Sequence, residues 1–507
     1  MCGIFAIVNS DMDNNQVQRD FMRGNRRGPD HTAYQQYGYV GMGFHRLAIN
    51  GLDTISNQPI SINGIHLICN GEVYNYPELY DALNLTPTTN SDCEIIVHLY
   101  REFGIEHTLH MINASEFAFV LYDSIKNIVY AARDPHGVRP LFKGVRNHTL
   151  CFASEMKMIP EGMTITSVLP GTYTDGTHVH TYHSLPSINP SLLRPQYLIK
   201  ETLYECVRKR VLHTDRPIAC LLSGGLDSSL IASLVTQCIR ELGKPPLETY
   251  SIGLEGAEDL KYASMVARYL GSKHTSIVLT EEEFLAAIPE VIYATETYDT
   301  TSVRASVGNF LVADYISKHS EAKVIFNGDG ADEVCGGYLY LKNAPNEVEF
   351  DKECRRLVKD IHYFDALRSD RCISYHGLEA RTPFLDRAFV ELYLSIPAKL
   401  RYTQCEKELL RTSFEGMLPW DILWRKKEAF SDGVSSLNNS WYSIIQRSIP
   451  VSIQHEYATQ KTVLTQEQYY YKKVYDSYYS TALPYYWMPK YTNSKDCSAR
   501  TLETYAS

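Results

Sequence analysis

Apolar residues follow different rhythms in the two halves of the chain. In the first half, short apolar runs at 2–8, 66–69, 117–122, 128–132 and 150–153 read as strands bounded by turn residues. One helical pattern stands among them: Ile95, Ile96, Leu99 and Tyr100 share a face, preceded by Ser91-Asp92, which suits a helix cap. Asn70-Gly71, just after the run at 66–69, suits a type I′ hairpin turn. In the second half, apolar strands alternate with amphipathic helices. Strands are expected at 218–222, 247–253, 275–279 and 324–326. Helices are expected at 198–213, from 227 onward (Leu230, Ile231, Leu234, Val235) and at 259–270, the last stopped by Gly271. This alternation predicts a parallel, doubly wound sheet, with ligands beyond the carboxyl ends of its strands.

Residues 184–195 hold three prolines and three serines, which marks a linker. Two domains are therefore expected, at 1–185 and 196–507. Of the 507 residues, 44% are hydrophobic and 21% charged, as in globular domains. The net charge of −10 and the lack of a Lys/Arg-rich block argue against a nucleic-acid partner. Twelve scattered cysteines without a CxxC pair point to reduced thiols rather than zinc or disulfides. No apolar run is long enough to span a bilayer, and the N-terminus lacks the basic region and cleavage site of a signal peptide. A cytosolic location, with no membrane partner, is the expectation.

Three stretches carry chemistry. The strand at 218–222 feeds Ser223-Gly224-Gly225, and Asp227-Ser228-Ser229 opens the next helix. A Gly/Ser loop at a helix N-terminus binds anions, because backbone N–H groups can approach phosphate oxygens and the helix dipole favours negative charge. The loop lacks the Gly-Lys-Ser/Thr ending of a Walker A motif and carries an acid, Asp227, suited to Mg²⁺ bridging phosphates. The strand at 324–326 ends in Asn327-Gly328-Asp329-Gly330-Ala331-Asp332-Glu333, whose Asp332 gives Mg²⁺ a second carboxylate. At the chain start, removal of Met1 would leave Cys2 with both a thiol and an α-amine. With unperturbed pKa values near ~8.5 and ~7.7–8, one residue can then act as nucleophile and base.

Cys2-Gly3-Ile4, Arg27-Gly28-Pro29-Asp30, His45-Arg46-Leu47, Asn70-Gly71-Glu72-Val73-Tyr74-Asn75, Ser91-Asp92 and Ala153-Ser154-Glu155-Met156-Lys157 resemble the N-terminal-nucleophile glutamine amidotransferase domain. The resemblance implies a four-layer αββα sandwich. It implies that Cys2 attacks the glutamine amide and that the Asn70 side chain and the Gly71 N–H form an oxyanion hole. Arg46 would hold the substrate carboxylate, Glu72 and Asp92 its ammonium, and Leu47, Ala48, Ile49 and Asn50 would complete the glutamine site.

The Ser-Gly-Gly-x-Asp-Ser loop resembles that of the ATP pyrophosphatases. With the segments 296–306, 377–386 and 424–433, nearly the whole chain resembles the glutamine-hydrolysing asparagine synthetase family. Tyr485-Tyr486-Trp487 and Ser498-Ala499-Arg500-Thr501-Leu502 look like its eukaryotic branch. The family resemblance implies a homodimer acting on glutamine, aspartate and ATP. Leu221, Ile252, Asn327 and Gly328 would line the adenosine pocket, and Ser223, Gly224, Gly225, Asp227 and Ser228 would hold pyrophosphate. Asp227 and Asp332 would hold Mg²⁺, Asp329 would support adenylate formation, and Lys427 would neutralise phosphate charge. Arg304, Arg381 and Glu333 are candidates for the aspartate or phosphate groups. Asn327-Gly328-Asp329 stands where many members have Ser-Gly-Glu. The alternatives are another amide-forming ligase on this scaffold, of β-lactam synthetase type, or a non-catalytic homologue. Both are disfavoured because Cys2, Arg46, Asn70, Asp92, Asp227, Asp332 and Lys427 are all present.

Overall fold

The structure, a computed structural model, describes residues 1–113, 116–460, 462–481, 487–494, 496–502 and 505. Tyr485 and Tyr486 lie outside the described residues. The chain forms two compact units. The first comprises 1–185, 212–217 and 374–380, and the second 186–211, 218–373 and 381–507.

The first unit is built on two six-stranded antiparallel sheets. One runs in the order 164–167, 142–146, 149–153, 3–8, 40–46, 31–37, and the other 179–181, 172–174, 128–133, 116–123, 65–72, 60–62. Side-chain alternation decides the layering. Ile4, Ala6, Val8, Met42 and Phe44 of the first sheet meet Ile68, Ala118, Val120 and Tyr122 of the second. The opposite face of the second sheet sends Leu67, Cys69, Phe117, Phe119 and Leu121 against the helices Tyr76–Leu83 and Ile95–Met111. On the outer face of the first sheet, the helix Asn14–Met22 lays Phe21 over Gly43, where a Cβ would come within 2.7 Å of the ring. The order is helix, sheet, sheet, helix. Glu116–Asp123 is buried at every position because both its faces are covered, so it reads as a continuous apolar run rather than an alternating one.

Two local expectations are corrected. Asn70 and Gly71 form no hairpin turn; they sit inside the strand Ile65–Glu72, opposite Ala118 and Phe117. The close approach of the neighbouring strand requires Gly71, since a Cβ there would meet the Glu116 carbonyl oxygen at 2.4 Å. The Ser91 side chain accepts no capping hydrogen bond either. A 3₁₀ turn, Asp92–Glu94, intervenes before the helix.

The second unit carries a parallel sheet in which Lys273–Leu279, Glu248–Leu254, Ile218–Leu221 and Val324–Phe326 lie side by side in that order. Helices Leu226–Glu241, Glu258–Leu270 and Thr300–His319 alternate with them. The chain steps outward from 218–221 through two strands, then returns to its other side at 324–326. The crevice beyond the ends of these two central strands is the topological switch point, where doubly wound sheets bind ligands.

Candidate active sites

In the first unit, Cys2 immediately precedes the central strand Gly3–Val8. Its Sγ lies 3.6 Å from the Leu47 carbonyl oxygen, and its backbone nitrogen donates to Asn70 Oδ1 at 2.9 Å. With Oδ1 engaged, Asn70 Nδ2 is left buried and without a hydrogen-bond partner among the described residues. Nδ2 is a pre-positioned donor, the kind of group that stabilises charge appearing during acyl transfer. Arg27, fully buried, anchors the backbone here: its Nε donates to the Cys2 carbonyl at 2.9 Å while Nη1 pairs with Glu155 at 3.1 Å. Burial pushes the Cys2 thiol up to about 11, outweighing the pull of the neighbouring N-terminal ammonium.

The segment 47–50 is shaped by residues that are distant in sequence. Ala48 N donates to Asp30 Oδ2 at 2.8 Å, Arg216 Nε donates to the Ala48 carbonyl at 2.8 Å, and Asp215 N donates to the Ile49 carbonyl at 3.0 Å. Asn50 Nδ2 donates to Glu72 Oε2 at 2.5 Å, and Asp92 Oδ2 accepts from Val73 N at 2.7 Å. Arg46 spends both terminal nitrogens on the loop it roots. Nη1 donates to the Asp53 carbonyl and Asn57 Oδ1, each at 2.7 Å, and Nη2 donates to the Gly51 carbonyl. Its structural task is therefore to close the loop 50–57. Asp215 and Arg216 escaped sequence reading because they belong to a short segment, 212–217, that carries no local pattern.

In the second unit, Leu221, Ser223, Gly225, Asp227, Ser228, Ile252, Asn327, Gly328, Asp329, Asp332 and Lys427 all border one cleft at the switch point. Gly224 lies behind its wall with φ +73°, and a Cβ there would be 2.4 Å from Ala263 N. The helix Leu226–Glu241 has Gly225 at its N-cap and no side-chain cap, so its first N–H groups remain available to an anion. Ser223 and Ser228 join their hydroxyls at 2.9 Å and hold the turn shut.

Four charged side chains interlock in this cleft. Lys407 Nζ sits 2.7 and 2.6 Å from the two Asp227 oxygens and 2.5 Å from Asp332 Oδ1. Lys427 Nζ lies 2.5 Å from Asp332 Oδ2 and 3.9 Å from Asp227. Burial alone would raise the Asp332 carboxyl, but the two lysines hold it well below the usual range. The same competition leaves the buried Lys407 ammonium well above its ordinary value. Lys407 was missed in the sequence because Cys405-Glu406-Lys407-Glu408 looks like a solvated charged turn. Arg368 was missed too; its Nη2 lies 2.8 Å from Asp329 Oδ1, leaving Asp329 Oδ2 buried and unpartnered among the described residues.

Three further candidates lie outside the cleft lining. Arg304 is buried and does not border the cleft. It pairs with Glu467 at 2.6–2.8 Å and with Asp496 at 2.9 Å. Arg381 is fully buried and donates to the Arg210 carbonyl. Glu333 is buried beneath the cleft, accepts the Tyr338 hydroxyl at 2.5 Å, and is pushed well above the carboxylate range by burial, with Asp365 and Asp332 adding to it. None of the three borders the cleft. A buried guanidinium or carboxyl reads in sequence like an exposed one.

A family model described as a glutamine amidotransferase domain matches residues 1–185, and one described as asparagine synthase matches 198–348 and 342–474. The chain is 39% identical over 562 residues to asparagine synthetase (glutamine-hydrolyzing) of Gallus gallus. It is 39% identical over 561 residues to that of Mus musculus and 38% over 561 residues to that of Homo sapiens. Each alignment covers 100% of this chain and 99% of the relative. The class is thus a two-domain protein pairing an amidotransferase with a synthetase. The chain belongs to the asparagine synthase family.

Proposed function

We propose that this chain is a glutamine-hydrolysing asparagine synthetase, an ATP-dependent carbon–nitrogen ligase. The observation that carries the reading is full-length similarity to such enzymes, with the amidotransferase and the synthetase both matched in one chain.

In the glutaminase step, with Met1 removed, the nitrogen held by Asn70 is the Cys2 α-amine. It takes the thiol proton as Sγ attacks the glutamine amide carbon, and this proton transfer lets a thiol raised by burial react near neutral pH. Asn70 Nδ2 and Gly71 N–H receive the oxyanion, and the proton passes to the leaving ammonia. Water then releases glutamate. Glu72 and Asp92 hold the substrate ammonium within the walls set by residues 47–50. Arg46 receives the carboxylate once the Asn57 amide yields its place.

In the synthetase step, the aspartate β-carboxylate attacks the ATP α-phosphorus, and pyrophosphate departs into the 223–228 loop. Leu221, Ile252, Asn327 and Gly328 enclose the adenosine. Lys407 and Lys427 neutralise the leaving charge, and Asp329, fixed by Arg368, supports formation of the β-aspartyl adenylate. Ammonia displaces AMP and yields asparagine. Mg²⁺ is part of the proposal. No cluster of three or more His, Cys, Asp or Glu among the described residues could cage a metal alone. Two carboxylates beside an anion loop, Asp227 and Asp332 from different elements, instead suit an ion that would arrive with the triphosphate. Asp227 and Asp332 would hold it, and it would add charge neutralisation to that of the lysines.

We also place the enzyme in the cytosol, a reading supported by twelve free cysteines. The homodimer is carried over from the family resemblance, and light scattering tests it. Glutamine, aspartate and Mg-ATP should yield asparagine, glutamate, AMP and pyrophosphate in equal amounts; ADP and phosphate would overturn adenylation.

A further inference from the structure

The segment carrying Lys427 is gripped from outside by the C-terminal tail. Arg500 Nε donates to Glu428 Oε1 at 2.6 Å, and its Nη1 donates to the Ser436 carbonyl at 3.0 Å. The Tyr505 hydroxyl donates to Glu428 Oε2 at 2.7 Å, so both oxygens of this carboxylate are held by the tail. Four residues on, Asp432 accepts from Ser498 Oγ at 2.7 Å and from Ala499 N at 3.0 Å. The tail is anchored in turn by Asp496, which meets the Arg304 guanidinium through two parallel hydrogen bonds of 2.9 Å. Arg304 lies on the helix Thr300–His319, whose Thr301 and Ala305 border the cleft. The tail therefore spans from one wall of the nucleotide cleft to the segment bearing its lysine.

These contacts do more than cover surface. Between Trp424 and Gly433 the chain forms only a single helical turn, Phe430–Gly433. Few of its backbone groups are tied into secondary structure. On the N-terminal side of Lys427, Arg425 pairs with Asp259 at 2.8 Å and covers the Tyr262 ring, and the C-terminal side is where the tail acts. Lys427 nonetheless has to bring Nζ to 2.5 Å from Asp332. An ammonium on a four-carbon stem is flexible, so its position depends on the backbone that carries it. Charge-assisted hydrogen bonds just after Lys427, at Glu428 and Asp432, add to that constraint.

We propose that the C-terminal tail is a strap in which Arg500 acts as a positioning residue, holding the Lys427 segment in place for pyrophosphate formation. The proposal rests on the synthetase reading above, which it deepens. Arg500 touches neither substrate nor reacting atoms. Its removal should lower kcat for pyrophosphate release while leaving glutamine hydrolysis, which occurs in the other unit, unchanged.

The test compares full-length wild type with Arg500→Ala and Arg500→Lys. Pyrophosphate release from aspartate and Mg-ATP should fall roughly 10- to 100-fold in kcat for Arg500→Ala. KM for ATP should change less, and glutaminase activity should stay within about twofold. Arg500→Lys, which keeps a hydrogen bond to Glu428 but loses the fork, should recover part of the rate. Limited trypsin digestion gives a second readout: cleavage at Arg425, Lys426 or Lys427 should accelerate in Arg500→Ala. Wild-type rates of pyrophosphate release and cleavage in Arg500→Ala would overturn the strap. If Arg500→Ala loses glutaminase activity too, Tyr505→Phe, which removes one hydroxyl, carries the test. Its trypsin cleavage at the same sites should accelerate, and an unchanged rate overturns the proposal. A wild type that forms no pyrophosphate refutes the synthetase reading instead, and trypsin still decides whether the tail holds the segment.

Discussion

The Cys2 backbone nitrogen donates to Asn70 Oδ1 at 2.9 Å, and with that end of the amide engaged, Asn70 Nδ2 is buried and unpaired among the described residues. The strand interior, not a turn, sets this pose, because Asn70 lies in register with Ala118. Asn70→Ala should therefore lower glutaminase kcat by about 10²–10³ with a smaller change in KM, since the lost bond matters mainly in the transition state. Steady-state glutamate release checks it, and a pure KM effect would contradict the assignment.

Cys2→Ala should abolish glutamine-dependent asparagine synthesis and leave the ammonia-dependent reaction intact. The two centres are built from different units, so the second has no need of the thiol when ammonia is supplied. Loss of both activities would contradict this division.

Burial pushes the Cys2 thiol up to about 11 in the chain that retains Met1. Because the shift is upward, the neutral thiol predominates below that pH and the thiolate grows as pH rises, with a fraction of only about 10⁻⁴ at pH 7. A variant with an uncleaved N-terminal extension should thus alkylate slowly at Cys2, its rate climbing about tenfold per pH unit to beyond pH 9. A rate already on its plateau at pH 8 would show a thiolate stabilised by something other than the processed α-amine. The same variant should not hydrolyse glutamine.

Lys407 touches both carboxylates of the anion cleft, whereas Lys427 touches chiefly Asp332. Lys427→Ala should suppress pyrophosphate release while glutamine hydrolysis persists. Lys407→Met should do the same and, in addition, destabilise the second unit. It removes the buried ammonium that bridges Asp227 and Asp332 and leaves only Lys427, 3.9 Å from Asp227, between them, a loss of up to about 3–5 kcal/mol by the usual cost of breaking a buried ion pair. Mg-ATP should recover part of that stability by supplying cation to the cleft. Thermal unfolding with and without Mg-ATP checks this, and equal melting temperatures for wild type and Lys407→Met would contradict it.

Asp329→Asn should slow adenylation at least tenfold, because it removes the charge that Arg368 pairs with at 2.8 Å. Pyrophosphate release measured without ammonia or glutamine isolates the step. An unchanged rate would assign Asp329 a packing role only.

What could be read directly from the chain was what local spacing encodes. A strand, a Gly/Ser turn and a helix start are contiguous, so the 223–228 loop and the acids of 327–333 were visible at once, as was the parallel sheet that aligns them. The apolar runs of the first half were visible as strands for the same reason. Asn70-Gly71 misled because a dipeptide suited to turns is equally suited to a crowded strand, and only the neighbour at Glu116 distinguishes the two.

Tertiary structure alone decided which charges meet. Lys407 reaches Asp227 across 180 positions of sequence and Arg304 reaches Glu467 across 163, so one entered the cleft and the other left the candidate set. Arg216 and Asp215 shape the segment 47–50 from beyond the linker, where no periodicity marks them. The physical reason is the range of the forces. Turn and helix preferences act within a few residues and leave their pattern in the sequence, whereas desolvation and ion pairing depend on the neighbours that folding brings together.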